Sequence, residues 1–221
     1  MAVKKLTLLH TAPANVTTFD RLLRELAPDI PAEHLLDESL LNDARAAGEI
    51  TPALAERISS RLLAAGDESA VLLCTCSTIG GAAEQVVHPR AGRVQRVDRA
   101  MAERAVALGE HIIVAAALAS TLAPTRELIL DAAQRVGKAV TVHEVLCPDA
   151  WSHFERGDLP AYWAAVANCL RGQATQGDVI VLAQASMAGA AELCADLPIP
   201  VLSSPRLGLE AAIAAYRAVT T

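Results

Sequence analysis

A thiol can do chemistry where a strand ends and a helix begins, and Cys76 occupies such a junction. Val71-Leu72-Leu73-Cys74-Thr75 reads as a buried strand, and Ser77-Thr78-Ile79-Gly80-Gly81-Ala82-Ala83-Glu84 opens as a helix. The first N–H groups of a helix lack intrahelical partners and carry partial positive charge, which favours thiolate over thiol. A thiolate there can take a proton from carbon, or attack an unsaturated or carbonyl carbon. Ser77 and Thr78 bring hydroxyls that either cap the helix or hold a carboxylate.

The other chemistry-bearing residues are more dispersed. Cys74, Cys147, Cys169 and Cys194 read as buried apolar side chains, Cys194 within a helix. Five cysteines form no even framework, and Cys74-Thr75-Cys76 lacks the two-residue spacer of a redox or zinc pair. The six histidines show neither HxH nor HExxH spacing, so no metal is expected. The only lysines are Lys4, Lys5 and Lys138, at the start of the chain and in a turn, which argues against a Schiff-base cofactor. Neither a dinucleotide nor a P-loop glycine pattern is present, so no cofactor is expected. His10 ends the first strand, as either a satisfied core histidine or an acid/base opposite Cys76. Asp37-Glu38-Ser39, His143, Glu144, Asp98 and Ser203-Ser204 fall at or near strand ends, and capping or structural roles compete there with lining a site.

An internal repeat orders these residues. Val71 to Glu84 aligns without gaps on Val179 to Glu192, so that Cys76 matches Gln184, Thr78 matches Ser186 and Gly81 matches Gly189. Each copy is a buried strand, a small-residue turn and a helix start. A duplicated unit puts both turns at the carboxyl ends of parallel strands, where open sheets bind ligands. If the halves face each other about a pseudo-twofold axis, Cys76 and Gln184 line one cleft.

The elements that must position these turns follow from periodicity. Strands are expected at Val3–Leu9, His34–Leu36, Ala70–Thr75 and Val94–Val97, then at Ile112–Ala117, Ala139–Val145, Asp178–Ala183 and Pro200–Leu202. Helices are expected at Thr18–Leu26, Thr51–Ala65, Ala100–Leu108, Thr125–Val136, Leu159–Arg171 and Leu207–Val219. Thr51-Pro52 reads as an N-cap with proline at the first helical position, and Gly109 and Gly137 as helix ends. Specificity loops are expected at Pro13–Thr18 and Cys147–Phe154. The fold class is α/β: two pseudosymmetric lobes, each a four-stranded parallel sheet flanked by helices, with the active site in the cleft between them. Residues 1-99 form the first lobe and 100-205 the second, with the helix at 206-221 packing back on the first.

Composition narrows the function. Across 221 residues, apolar side chains make up 52% and aromatics 3%, and the net charge is −6. With no basic stripe and few rings for base stacking, nucleic acid is not an expected partner. The longest apolar runs, such as Ile112 to Ala119, are too short to span a bilayer, and Thr7 interrupts the apolar start. A cytoplasmic protein without a membrane partner is expected.

On these residues the chain resembles the aspartate/glutamate racemase superfamily, which includes hydantoin racemases, maleate isomerases and arylmalonate decarboxylases. Cys76-Ser77-Thr78 stands at that family's Cys-Asn-Thr turn. Ser120-Thr121 lies at its Thr-x-x-Thr loop, with Ala117 at the first threonine, and His10-Thr11 ends the first strand. The resemblance implies cofactor-independent chemistry on a small carboxylate or amino-acid-like substrate, through a Cys76 thiolate and in a homodimer or higher homo-oligomer. It makes His10, Thr11, Ser77, Thr78, Ser120, Thr121, Gln184, Ala185 and Ser186 substrate-binding candidates. The departure is Gln184, where racemases of the family have a second cysteine in a Gly-Cys-Thr turn. Glutamine cannot carry a proton back and forth at neutral pH. Racemization or epimerization therefore stands beside one-sided isomerization, decarboxylation or hydrolysis, and beside a silent small-ligand-binding protein.

Overall fold

Strands covered on both faces need apolar side chains at consecutive positions, and the runs that satisfy this form the centre of each sheet. The computed structural model describes residues 4–66 and 68–220. Val3, at the start of the first expected strand, and Thr221, at the end of the C-terminal segment, lie outside the described residues. The chain divides into two units, Met1–Val97 with Pro205–Thr221, and Asp98–Ser204.

The first unit runs β1 (Lys5–His10), α1 (Pro13–Leu26), β2 (Ala32–Leu36), α2 (Glu38–Ala47), α3 (Pro52–Leu63), β3 (Ser69–Cys74) and α4 (Ser77–Glu84). A short hairpin of β4 (Val87–His88) and β5 (Gly92–Arg93) precedes β6 (Gln95–Arg96). The second unit runs α5 (Arg99–Leu108), β7 (His111–Ala116), α6 (Leu122–Arg135), β8 (Thr141–Leu146), α7 (Ala150–Glu155), α8 (Leu159–Arg171), β9 (Val179–Leu182), α9 (Ala188–Glu192) and β10 (Val201–Ser203). Helix α10 (Ser204–Thr220) then returns to the first unit.

Each unit carries a four-stranded parallel sheet, ordered β2-β1-β3-β6 in the first and β8-β7-β9-β10 in the second. The registers also correspond: Thr75 N–H donates to Leu9 O at 3.0 Å, and Ala183 N–H donates to Ala115 O at 2.9 Å. The sequence repeat is therefore a repeat of backbone hydrogen bonding, with Cys76 and Gln184 each one residue beyond the matched bond.

Around β3, the apolar stripe Leu54, Ile58 and Leu62 of α3 packs with Leu72, Cys74, Cys76, Ile79 and Ala83. Around β9, Tyr162, Val166 and Leu170 of α8 pack with Ile180, Leu182 and Met187. Truncating such a side chain costs about 2–5 kcal/mol, so the seating of α4 behind Cys76 depends on Ile58.

Several expectations need correction. Helix α1 begins at Pro13, so Pro13–Thr18 is helix rather than loop. Helices α6 and α10 also begin before the expected starts, with Pro124 and Pro205 inside their first turns. Proline is tolerated there because first-turn N–H groups have no intrahelical acceptor to lose. Within Cys147–Phe154, Ala150 to Phe154 belong to α7. Cys194 lies in a turn beyond α9 rather than in a helix. Thr51 caps α3 by accepting from Leu54 N–H, with Pro52 behind it, as the sequence predicts. No helix among the described residues is long and apolar enough to cross a membrane.

Candidate active site

Side-chain caps mark where helices are closed to ligands. Asp37, Thr51 and Asp158 cap α2, α3 and α8. The helical segments leaving the central strands β1, β3, β7 and β9 begin at Ala12, Cys76, Leu118 and Gln184, none of which makes a side-chain cap. At the carboxyl ends of these four strands the sequence leaves helix-start N–H groups without their customary side-chain acceptor.

In the first unit Cys76 is the N-cap residue of α4, in extended conformation and 8% exposed. Ser77 and Thr78 are thus the first two helical residues rather than caps. The Ser77 hydroxyl is buried without a hydrogen-bond partner among the described residues, an arrangement that costs about 1–3 kcal/mol unless something polar meets it. Thr78 is buried beside it. Behind the turn, Arg96 of β6 lies against Gly80, where an added Cβ would stand 3.1 Å from its Nε. Gly80 therefore lets a buried guanidinium approach the first turn of α4.

His10 is fully buried, and both of its ring nitrogens are engaged. Nδ1 lies 2.8 Å from Thr75 Oγ1, and Nε2 lies 2.9 Å from His34 Nδ1. Thr75 Oγ1 donates to Leu9 O at 3.1 Å, so it accepts from His10. His10 then carries its proton on Nδ1, and its Nε2 accepts from His34. Burial, followed by the proximity of His34, pushes the His10 pKa down to about 3. His34 is also lowered by burial, against an opposing pull from Asp20. Thr11 follows His10 and is buried.

In the second unit Gln184 is 9% exposed, and its Oε1 accepts from Ala117 N–H at 2.6 Å and Leu118 N–H at 3.2 Å. Ala185 begins the 3-10 turn Ala185–Met187. The Ser186 hydroxyl bonds Tyr162 Oη at 3.0 Å, and its carbonyl accepts from Trp163 Nε1 at 2.9 Å. Gly189 gives Trp163 room, since a Cβ there would fall 2.4 Å from the indole. Ser120 and Thr121 lie in the 3-10 turn after β7, and the Ser120 hydroxyl is buried without a partner.

The remaining cysteines differ from Cys76. Burial, then contact with Cys169, pushes the Cys147 thiol up, and burial likewise raises Cys194. Glu144 is exposed and pairs with Arg126 at 3.3 Å, and Asp37 is the α2 cap. Asp98 is fully buried at the start of α5, and Ser204 is buried with its hydroxyl unpartnered. Among the described residues no group of three or more His, Cys, Asp or Glu side chains is placed to hold a metal ion. Sequence reasoning missed His34, Thr75, Tyr162, Trp163 and Arg96. Pairing His34 with His10 requires the β1–β2 register, and the other four act through tertiary contacts that no spacing encodes.

No family model matches the sequence, and no curated protein matches it. Solved structures do. The aspartate racemase of Picrophilus torridus superposes with a TM-score of 0.70 at 11% identity, over 100% of both chains. Glutamate racemase isoform RacE1 of Bacillus anthracis gives 0.67 at 16% identity, over 97% of this chain and 82% of that one. Allantoin racemase of Pseudomonas fluorescens gives 0.62 at 19% identity, over 98% and 92%. The chain shares the fold of these racemases.

Proposed function

We propose that this protein is a cofactor-independent, racemase-like enzyme that acts on a small amino-acid-like carboxylate through Cys76. The observation carrying the reading is Cys76 at the uncapped start of α4, next to the buried and unpartnered Ser77 hydroxyl. In the step proposed, the Cys76 thiolate takes the proton from the carbon beside the carboxylate, becoming a thiol as the electron pair moves into an enediolate. Donors from Thr11, Ser77 and Thr78 of the same unit hold the carboxylate oxygens. Each donor that strengthens toward the enediolate contributes about 3–4 kcal/mol, which matters because such a carbon acid is very weak in water.

A second reading, one-base isomerization, decarboxylation or hydrolysis, is favoured by Gln184. Its amide is bonded to two backbone N–H groups and has no titratable proton, so the counterpart of Cys76 in the repeat is not an acid or base. His10, neutral and bonded at both nitrogens, also offers no proton at pH 7.

The test is to incubate candidate amino and hydroxy acids with the wild type and Cys76→Ala in D₂O, following α-deuteration and configuration. Exchange with inversion supports racemization, and exchange with retention supports one-base chemistry. Turnover that Cys76→Ala leaves intact refutes the assignment.

A further inference from the structure

The side chain that takes the cysteine's place in the repeat has a defined orientation. Backbone N–H groups can only donate, so the Gln184 atom that meets Ala117 N–H and Leu118 N–H is its carbonyl oxygen. Two bonds to consecutive amides at the end of β7 fix the carboxamide plane, and a flip would set NH₂ against N–H. The Nε2 hydrogens therefore point away from those amides, and no acceptor among the described residues takes them. Gln184 is 9% exposed, and its Nε2 is not among the fully enclosed polar atoms, so the NH₂ is the edge of the carboxamide that a ligand can reach. The neighbouring segment adds buried hydroxyls with no partner: Ser120 Oγ, two residues after Leu118, and Thr125 Oγ1, in the first turn of α6.

We propose that Gln184 is a fixed hydrogen-bond donor whose Nε2 binds an oxygen of a small carboxylate ligand. Ala117 N–H and Leu118 N–H act as its anchor rather than as ligand donors. This deepens the reading of the chain as a small-carboxylate enzyme and rests on it for the ligand class. The group met by Gln184 is an acceptor, a carboxylate or carbonyl oxygen; an ammonium or an amide N–H would face a donor there. The side chain is thereby a specificity residue and not a substitute base.

The experiment uses the full-length protein at pH 7, acetate as the probe, and NMR of the backbone and glutamine side-chain amides. Acetate should shift the Gln184 NH₂ resonances saturably, while Ala117 and Leu118 amides stay in place and protected from exchange. Gln184→Glu keeps an acceptor for both backbone amides but turns an anionic oxygen toward the ligand. It should preserve their protection and weaken acetate binding by about tenfold or more. Gln184→Met should weaken acetate and leave both amides exchanging freely. The proposal falls if acetate moves Ala117 and Leu118 in the wild type, if Gln184 NH₂ does not respond, or if Gln184→Glu binds acetate as well as the wild type. Cys76→Ala should leave the Gln184 response intact. Failure of the Cys76 chemistry and failure of this donor are therefore read separately.

Discussion

Lowering the pH from 7.5 to 5 should loosen the first unit through His10. In the unfolded chain this imidazole titrates near 6.5, whereas in the folded unit burial and His34 hold it at about 3. A folded-state pKa depressed in a histidine means the unfolded state binds more protons, so the stabilisation is complete above 6.5 and is lost as pH falls toward 3. At pH 5 the difference is about 1.5 units at 1.36 kcal/mol each, or about 2 kcal/mol, and the full gap of about 3.5 units gives about 5 kcal/mol as a ceiling. His34, lowered by burial, acts with the same sign. Asp131, held down by Arg99, and Asp178, held down by the His111 and Glu110 N–H groups, lose their contributions only near and below 3.8. The window from pH 6.5 to 5 thus isolates the histidines. The assay is hydrogen exchange of the Leu8 and Leu72 amides in β1 and β3 across that range. Trp151 and Trp163 both lie in the second unit, so their fluorescence serves as its separate monitor. In His10→Asn the first unit should be less stable at pH 7.5, and its stability should fall less steeply down to pH 5.5, the slope that remains being His34's. An equal pH slope in wild type and variant, or a His10 ring titrating near 6.5 by NMR, refutes the reasoning.

Thr75→Val removes the acceptor of a buried Nδ1–H and should cost about 1–3 kcal/mol, measured by urea unfolding followed through far-UV circular dichroism. Gly189→Ala drives a Cβ into the Trp163 ring and should cost about 1–3 kcal/mol by overpacking, with the tryptophan emission shifted as the bond to Ser186 O is lost. Gln184→Cys releases the Ala117 and Leu118 amides and puts a thiol at the second repeat position. If the chemistry is one-base in the wild type, the ratio of inversion to retention in D₂O should rise in this variant, and an unchanged ratio counts against the equivalence of positions 76 and 184.

What the sequence revealed and what it hid have separate physical origins. The central strands β1, β3, β7 and β9 were legible because double coverage forces apolar runs such as Val71-Leu72-Leu73 and Ile112-Ile113-Val114, and their ends fall within about two residues of those observed. Helix starts were less legible because Pro13, Pro124 and Pro205 read as breakers, although in a first turn they forfeit no bond. The hairpin of β4 and β5 was invisible: two-residue strands carry no period. In the site, the vacancy at Gln184 was legible from the repeat, but its orientation was not. That depends on two backbone amides 67 and 66 residues earlier in the chain. His10 was legible as a strand-end histidine, whereas its tautomer follows from Thr75 bonding Leu9 O.

The matched registers sharpen why the two turns differ. Thr75 and Ala183 make the same backbone bond to their neighbouring strands, and Cys76 and Gln184 share an extended N-cap conformation, φ −114° with ψ 115° and φ −119° with ψ 136°. The backbone therefore does not separate them, and the difference in chemistry lies in the side chain alone. At position 76 a short thiol leaves the helix start uncapped. At position 184 a longer carboxamide reaches back and takes the two N–H groups at the end of β7. That reach spans two more heavy atoms than a cysteine has, so a cysteine at 184 leaves both amides open. One substitution in a duplicated frame thus removes a titratable group and fills a donor pair at once, and an assay of Gln184→Cys that reads only activity would confound the two effects. Following Ala117 and Leu118 exchange in the same sample separates them: thiol chemistry without amide release, or release without chemistry, identifies which consequence matters.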